Sequence, residues 1–184
     1  MSLKTDLSKF NNDWYKPGGN ALSRLLWYLI NASLINSYMP ISSIKVFWLR
    51  MFGAKIGSGV VIKPKVNIKY PWRLKIGNNS WIGEGVWIDN LDDVEIGTNV
   101  CISQGAMLLC GNHDYKKSSF DLITGKIILE DGVWVGAKAV VCPGTTMKTH
   151  SVLTVGSVAS GILEPYFIYT GNKAVKTKER NVIN

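Results

Sequence analysis

The chain has 184 residues and a mass of 20.4 kDa, with 46% hydrophobic residues, 18% charged residues and a mean hydropathy of +0.08. That is the size and composition of one domain with a sizeable core, too short for two ordinary domains. Lys and Arg outnumber Asp and Glu 21 to 13, for a formal charge of +8 and a pI near 9.4, which suits phosphate-bearing partners or an anionic membrane surface. Three cysteines, Cys101, Cys110 and Cys142, argue against a disulfide scaffold and for a reducing, cytoplasmic compartment.

Residues 1–12 mix Lys4, Asp6 and Lys9 with polar residues, and no apolar run precedes a small-residue cleavage site, so no export signal is expected. From Leu25 to Ile44 run 20 residues without a charge, about the length of a membrane span. Asn31, Ser33, Asn36, Ser37, Pro40, Ser42 and Ser43 within it argue against one. The spacing predicts two short helices over residues 20–52. Leu22, Leu25, Leu26, Leu29 and Ile30 form one apolar face; Pro40 interrupts; Ile44, Phe47, Trp48 and Met51 form a second, with Ser42 or Ser43 as cap and Gly53 just beyond its end. Packing against the open end of the following repeat is the favoured role. A peripheral membrane anchor is the alternative, because Trp27, Tyr28, Tyr38 and Trp48 with Arg24, Lys45 and Arg50 suit an interface.

A six-residue beat begins at Ile56. Its positions are Ile56, Ile62 and Ile68; Ile76, Ile82 and Ile88; Ile96, Ile102 and Leu108; and, after a longer gap, Leu129, Val135, Val141, Met147 and Leu153. All 14 are aliphatic or Met, and in 11 of them a small or β-branched residue follows four places later. Gly57, Gly77, Gly83, Gly97 and Gly136 directly follow the aliphatic member, where a tight corner is expected. The pattern predicts an all-β solenoid, a prism of short parallel strands with three rungs per coil and the aliphatic side chains stacked inside. The expected spans are a helical cap over 1–53, a β-helix over 54–158 with an inserted loop at 112–128, and a C-terminal tail over 159–184.

Trp72, Asp92 and Asn112 break the small-residue rule at intervals of 20 residues, and a 15-residue insertion lies between Asn112 and Leu129. All three belong to the third rung of a coil, so they share one corner, and a corner that repeatedly departs from the repeat is where a site is expected. His113 lies there. An imidazole, with an ordinary pKa near ~6.5, can take a proton from a hydroxyl at neutral pH. Asp89, Asn90 and Asp92 sit one coil earlier at the same corner, as acceptor contacts or as ordinary turn residues. Asn112 and Asp114 flank the histidine and are candidates to fix its tautomer.

The hexads of Leu, Ile or Val with Gly resemble the left-handed β-helix, hexapeptide-repeat acyltransferases. The segments IGEGVWIDNLDDVEIGTNVCISQGAMLLCGNHDY and FDLITGKIILEDGVWVGAKAVVCPGTTM are similar to the sugar O-acetyltransferases of exopolysaccharide biosynthesis, of the colanic acid type. The resemblance implies a homotrimer with acetyl-coenzyme A in the groove between neighbouring prisms, a sugar acceptor, and His113 as general base with no metal. It also implies that Trp134, Gly136 and Ala137, with Gly156 and Ser157 of the next coil, follow the pantetheine arm. GNKAVKTKER is similar to a terminal basic motif that meets the coenzyme phosphates, but Lys173 and Val175 stand where Pro and Lys are expected. Phosphate contact is then left to Lys173, Lys176 or Lys178, against a merely solvated tail.

His150, in MKTHSV, reads as a turn residue, and the three cysteines lack a basic neighbour that would mark a nucleophile. Two histidines are too few for a three-histidine zinc hydratase on the same kind of prism. No reader motif or stacking module supports nucleic acid binding. A noncatalytic scaffold and an amino-sugar N-acetyltransferase remain as alternatives to O-acetyl transfer.

Overall fold

The computed structural model describes residues 4–183. Helix α1 (Ala21–Ile30), a π-helical turn (Asn31–Ile35) and helix α2 (Ser42–Met51) precede six stacked coils. The first coil holds β1 (Lys55–Ile56), β2 (Val61–Ile62) and β3 (Asn67–Ile68); the second holds β4 (Leu74–Ile76), β5 (Trp81–Ile82) and β6 (Trp87–Asp89). The third holds β7 (Val94–Ile96), β8 (Cys101–Ile102) and β9 (Met107–Leu109), and is followed by a hairpin of β10 (Gly111–His113) and β11 (Leu122–Thr124). The fourth holds β12 (Ile127–Leu129), β13 (Trp134–Val135) and β14 (Val140–Val141); the fifth β15 (Thr146–Met147), β16 (Val152–Leu153) and β17 (Val158–Ala159). Then come β18 (Ile162–Leu163), β19 (Phe167–Thr170) and β20 (Val175–Glu179).

Parallel pairing joins these strands into three faces: A (β1, β4, β7, β12, β15, β18), B (β2, β5, β8, β13, β16, β19) and C (β3, β6, β9, β14, β17). Ile56 is in register with Ile76 and Ile76 with Ile96, while Ile96 pairs with Leu129 across the inserted hairpin. All 14 hexad positions and the 11 small residues are buried, so the six-residue beat is the inner surface of the prism. Ser80 shows why a small polar residue is tolerated there: its Oγ accepts from the Val100 N–H at 3.0 Å and donates to the Gly97 carbonyl at 2.8 Å.

The corner glycines act for a reason other than the expected one. Gly57, Gly77, Gly83, Gly97 and Gly136 do not carry the left-handed backbone; that falls two residues later, at Gly59, Asn79, Gly85, Asn99 and Lys138, with φ between 55° and 68°. At the first set the constraint is close approach of the next coil. A Cβ on Gly77 would lie 2.5 Å from the Gly97 carbonyl carbon and 2.6 Å from the Thr98 nitrogen.

The helical segment closes the open end of the prism through fewer residues than its apolar faces suggest. Trp27 is buried and donates to the Ile68 carbonyl at 2.9 Å; Ile35 and Leu49 are also buried. Lys45, which the membrane-anchor alternative places at an interface, is buried, donates to the Lys63 carbonyl at 2.8 Å, and has its pKa lowered by burial. Ser42 does not cap α2; its Oγ bridges the Ile62 N–H and carbonyl. Leu22, Leu25, Leu26 and Leu29, expected to pack, are 44–64% exposed, because α1 meets the prism mainly through Trp27. Among the described residues no helix is long and apolar enough to cross a membrane.

Between residues 162 and 179 the chain is structured where a tail was expected. Leu163 and Tyr169 are buried and continue the inner column, and β20 folds back antiparallel on β19. Its exposed Lys176, Lys178 and Glu179 then form the edge of face B, and charge on an edge strand discourages further strand addition.

The two kinds of corner residue make different predictions. Gly77→Ala should lower stability by about 1–3 kcal/mol, because backbone of the neighbouring coil must move. Gly144, with φ of 75° and nothing within 4 Å of an added Cβ, should accept Asn for less than about 1 kcal/mol. Chemical denaturation of both variants measures this, and equal losses would contradict the close-approach account.

Candidate active site

His113 ends β10 at the corner between faces C and A. Its Nδ1 lies 2.9 Å from the Phe120 carbonyl oxygen, and its ring stacks on that of Phe120 at 4.4 Å with planes 7° apart. A carbonyl can only accept, so Nδ1 carries the hydrogen and, in the neutral ring, Nε2 keeps its lone pair. The hairpin makes this possible, since His113 faces Leu122 across the antiparallel pair and Phe120 adopts a left-handed φ of 53°. Phe10 packs at 5.8 Å from the imidazole, and the Asp6 N–H donates to the Ser118 carbonyl at 2.8 Å, binding the N-terminal segment to the loop.

The flanking residues expected to orient the ring are otherwise engaged. Asn112 Oδ1 accepts from the His113 N–H, and Asp114 Oδ1 accepts from the Lys116 N–H. The orienting group is the Phe120 carbonyl, seven residues away, and neither it nor Phe10 left a signal in the sequence pattern.

One coil earlier the three polar candidates divide. Asn90 is buried and bonds both the N–H and the carbonyl of Tyr70, so its amide staples two coils together and offers nothing to an acceptor. Asp92 accepts from Thr124 Oγ1 at 3.3 Å and pairs with Arg73 at 3.7 Å, which ties the base of the hairpin to the corners below it. Asp89 faces a cleft of about 530 Å³ lined in part by Arg24, Tyr28, Asn31, Asn67, Lys69 and Trp87. Its Oδ1 is buried, 2.9 Å from Lys69 Nζ, with no aligned donor. A larger open trough of about 750 Å³ on face A contains none of the expected site residues.

The other expected residues gather at a different corner. Trp134, 46% exposed on face B, donates its indole N–H to Ser103 Oγ at 2.9 Å. Gly136 and Ala137 turn the corner from B to C, and the Gly156 N–H reaches the Ala137 carbonyl at 2.9 Å, stacking the next corner on it. Ser157 is buried, its Oγ accepting from the Gly171 N–H at 2.9 Å, so the turn bearing Lys173 sits on this corner too. Lys176 instead lies over the Phe167 ring at 3.4 Å, and Lys178 pairs with Ile168 as β20 runs back along face B. Within the chain the whole of face C separates His113 from the Trp134 to Ser157 group.

His150 stacks on Tyr166 at 4.9 Å and bonds Thr149, as a corner residue with φ of 57°. Among the described residues no group of three or more His, Cys, Asp and Glu side chains could hold a metal ion.

No protein-family model matches the chain. Over 176 residues it is 35% identical to the colanic acid biosynthesis acetyltransferase WcaF of Escherichia coli K12, covering 95% of this chain and 97% of that one. The chain belongs to the hexapeptide-repeat acetyltransferases. Solved structures agree in fold. A hexapeptide-repeat acetyltransferase of Vibrio cholerae complexed with acetyl coenzyme A superposes with a TM-score of 0.74 at 21% identity, covering 87% of this chain and 86% of that one. A galactoside acetyltransferase in complex with coenzyme A gives 0.76 at 20%, covering 87% and 82%.

In this acetyltransferase Cys110 and Cys142 are poorly suited to attack. Burial pushes Cys110 up to about 12 and raises Cys142 as well, so the thiolate needed for nucleophilic chemistry is scarce at neutral pH. At pH 8, iodoacetamide should label Cys110 far more slowly in the native protein than in protein unfolded by guanidinium, as mass spectrometry of timed aliquots would show. Rapid labelling of Cys110 would contradict its burial.

Proposed function

We propose that this acetyltransferase moves acetyl from acetyl-coenzyme A to a sugar hydroxyl in polysaccharide biosynthesis, with His113 as general base. The observation that carries the reading is the Nδ1–H bond to the Phe120 carbonyl, which leaves Nε2 as a positioned acceptor for a proton. As the sugar oxygen attacks the thioester carbonyl carbon, its proton passes to Nε2. When the C–S bond breaks, the imidazolium returns that proton to the departing sulfur. The Phe120 carbonyl holds the tautomer and stabilises the transient charge.

The coenzyme is assigned to the corner of Trp134, Gly136, Ala137, Gly156 and Ser157, with Lys173 as the phosphate contact because it shares that corner while Lys176 and Lys178 do not. Since a full face separates this corner from His113 within one chain, the site is composed from two protomers of a homotrimer, one giving the histidine and its neighbour the coenzyme corner. The outer columns of the faces support this arrangement. Face A presents Lys55, Lys75 and Glu95 in its first three coils and Ile128, Thr146 and Ile162 in the rest, whereas face B presents Val61, Trp81, Cys101 and Trp134 and face C presents Asn67, Trp87, Met107, Val140 and Val158. Two mainly apolar faces, beside a third that is charged over its first three coils, suit a ring in which B of one prism meets C of the next. Asp89 and its cleft are the acceptor contact, with Trp87 as a surface against which a sugar ring can stack.

His113→Ala should lower turnover by about 10²- to 10⁴-fold. Its coenzyme affinity and melting temperature should stay near those of the unaltered protein, and His150→Ala should act as a neutral control. Steady-state assays with labelled acetyl-coenzyme A and a panel of nucleotide-linked and lipid-linked sugars would measure it. Unchanged turnover in His113→Ala would remove the base, and transfer only to amino sugars would replace O- by N-acetylation.

A further inference from the structure

The positive charge of the chain sits at one end. Between Trp14 and Gly83 there are ten Lys and Arg residues and no Asp or Glu, a charge of +10. Residues 1–13 hold two of each sign, and residues 84–184 hold nine basic and eleven acidic residues. The basic stretch builds α1, α2, the first coil and the beginning of the second. Lys69, Arg73 and Lys75 pair with Asp89, Asp92 and Glu95, and Lys45 is buried. Lys16, Arg24, Arg50, Lys55, Lys63 and Lys65 form no ion pair among the described residues.

The same end exposes an apolar stripe. Leu22, Leu25, Leu26 and Leu29 follow one another at i, i+3, i+4 and i+7 on α1 with 44–64% of their surface exposed, and Phe47 and Met51, one turn apart on α2, are 57% and 66% exposed. Tyr38 is exposed with Lys65 Nζ over its ring at 4.0 Å. A leucine stripe has no stabilising reason to face water, and one bordered by cations and aromatics has the chemistry of an interfacial helix.

We infer that the N-terminal end of the prism is a docking surface for an anionic lipid bilayer. The leucines and Phe47 enter the boundary between headgroups and acyl chains, and the unpaired Lys and Arg side chains meet lipid phosphates. A second copy of the chain does not fit the same face, because it would oppose two strongly basic ends. The docked helix also lines the Asp89 cleft, through Arg24, Trp27 and Tyr28. If the acetyl-transfer reading holds, a sugar carried on a membrane lipid reaches that cleft from the docked side.

Flotation of the full chain tests this, with vesicles of phosphatidylcholine alone or containing about 30% phosphatidylglycerol. The anionic vesicles should retain at least tenfold more protein, and high salt should release part of it. Leu25→Glu with Leu29→Glu, and separately Lys63→Glu with Lys65→Glu, should each reduce retention about tenfold or more. Both double variants alter side chains outside the cleft, so acetylation of a soluble sugar should persist in them; that assay reads the acetyl-transfer proposal independently of docking. Equal retention on both vesicle types, or full retention by both double variants, overturns the inference. So does a loss of assembly mass in the leucine variant by light scattering, which would make the stripe a subunit contact. Should that variant melt early, the exposed lysine pair decides the matter.

Discussion

The strands of the first five coils are two or three residues long, and their backbone groups find partners only in the coils above and below. No strand could persist alone at that length. The inward Ile, Leu and Val residues therefore have to stack in register, coil upon coil, and the corner backbones have to approach closely enough for Gly77 and Gly97 to exclude a Cβ. Everything else in the molecule is arranged around that stacking requirement. Extra residues cannot enter a face without breaking two ladders, so they collect at a corner.

The corner between faces C and A carries those additions, and they increase along the chain. In the first coil it holds the Pro71–Arg73 turn, with Trp72 against Gly18 and Gly19; in the second Asp92 braces what lies above; in the third a complete hairpin emerges. His113 is thereby held on a loop whose base is anchored to a rigid stack and whose tip is bound by its own backbone and by the N-terminal segment. That combination of a fixed scaffold and an added loop is a common way of placing a catalytic group.

Much of this was legible in the residues. The six-residue beat identified the inner column position by position, and the three departures at Trp72, Asp92 and Asn112 located the corner that bears His113. Where the reading failed, the deciding contacts lay far apart in sequence or in the backbone. Asn90 has the composition of a site residue, yet Tyr70, twenty residues earlier, consumes its amide. The Phe120 carbonyl that orients His113 depends on a hairpin register. The apolar face of α1 was correctly recognised as a face but not as an exposed one, because periodicity reports a stripe and not what covers it. Residues after 158 escaped because the six-residue interval, kept from Leu153 to Ala159, shortens to four between Ala159 and Leu163.

In the proposed trimer the acetyl-transfer site joins His113 of one protomer to the coenzyme corner of its neighbour. Subunit mixing tests this directly, using His113→Ala and Ala137→Trp chains, each inactive alone, co-expressed and assembled together. In a cyclic trimer every mixed assembly regains one intact site of three, so random mixing should restore about a quarter of the unaltered activity. A mixture as inactive as its components, in assemblies shown by mass to contain both chains, would mean that histidine and coenzyme corner meet within a single protomer, contrary to this account.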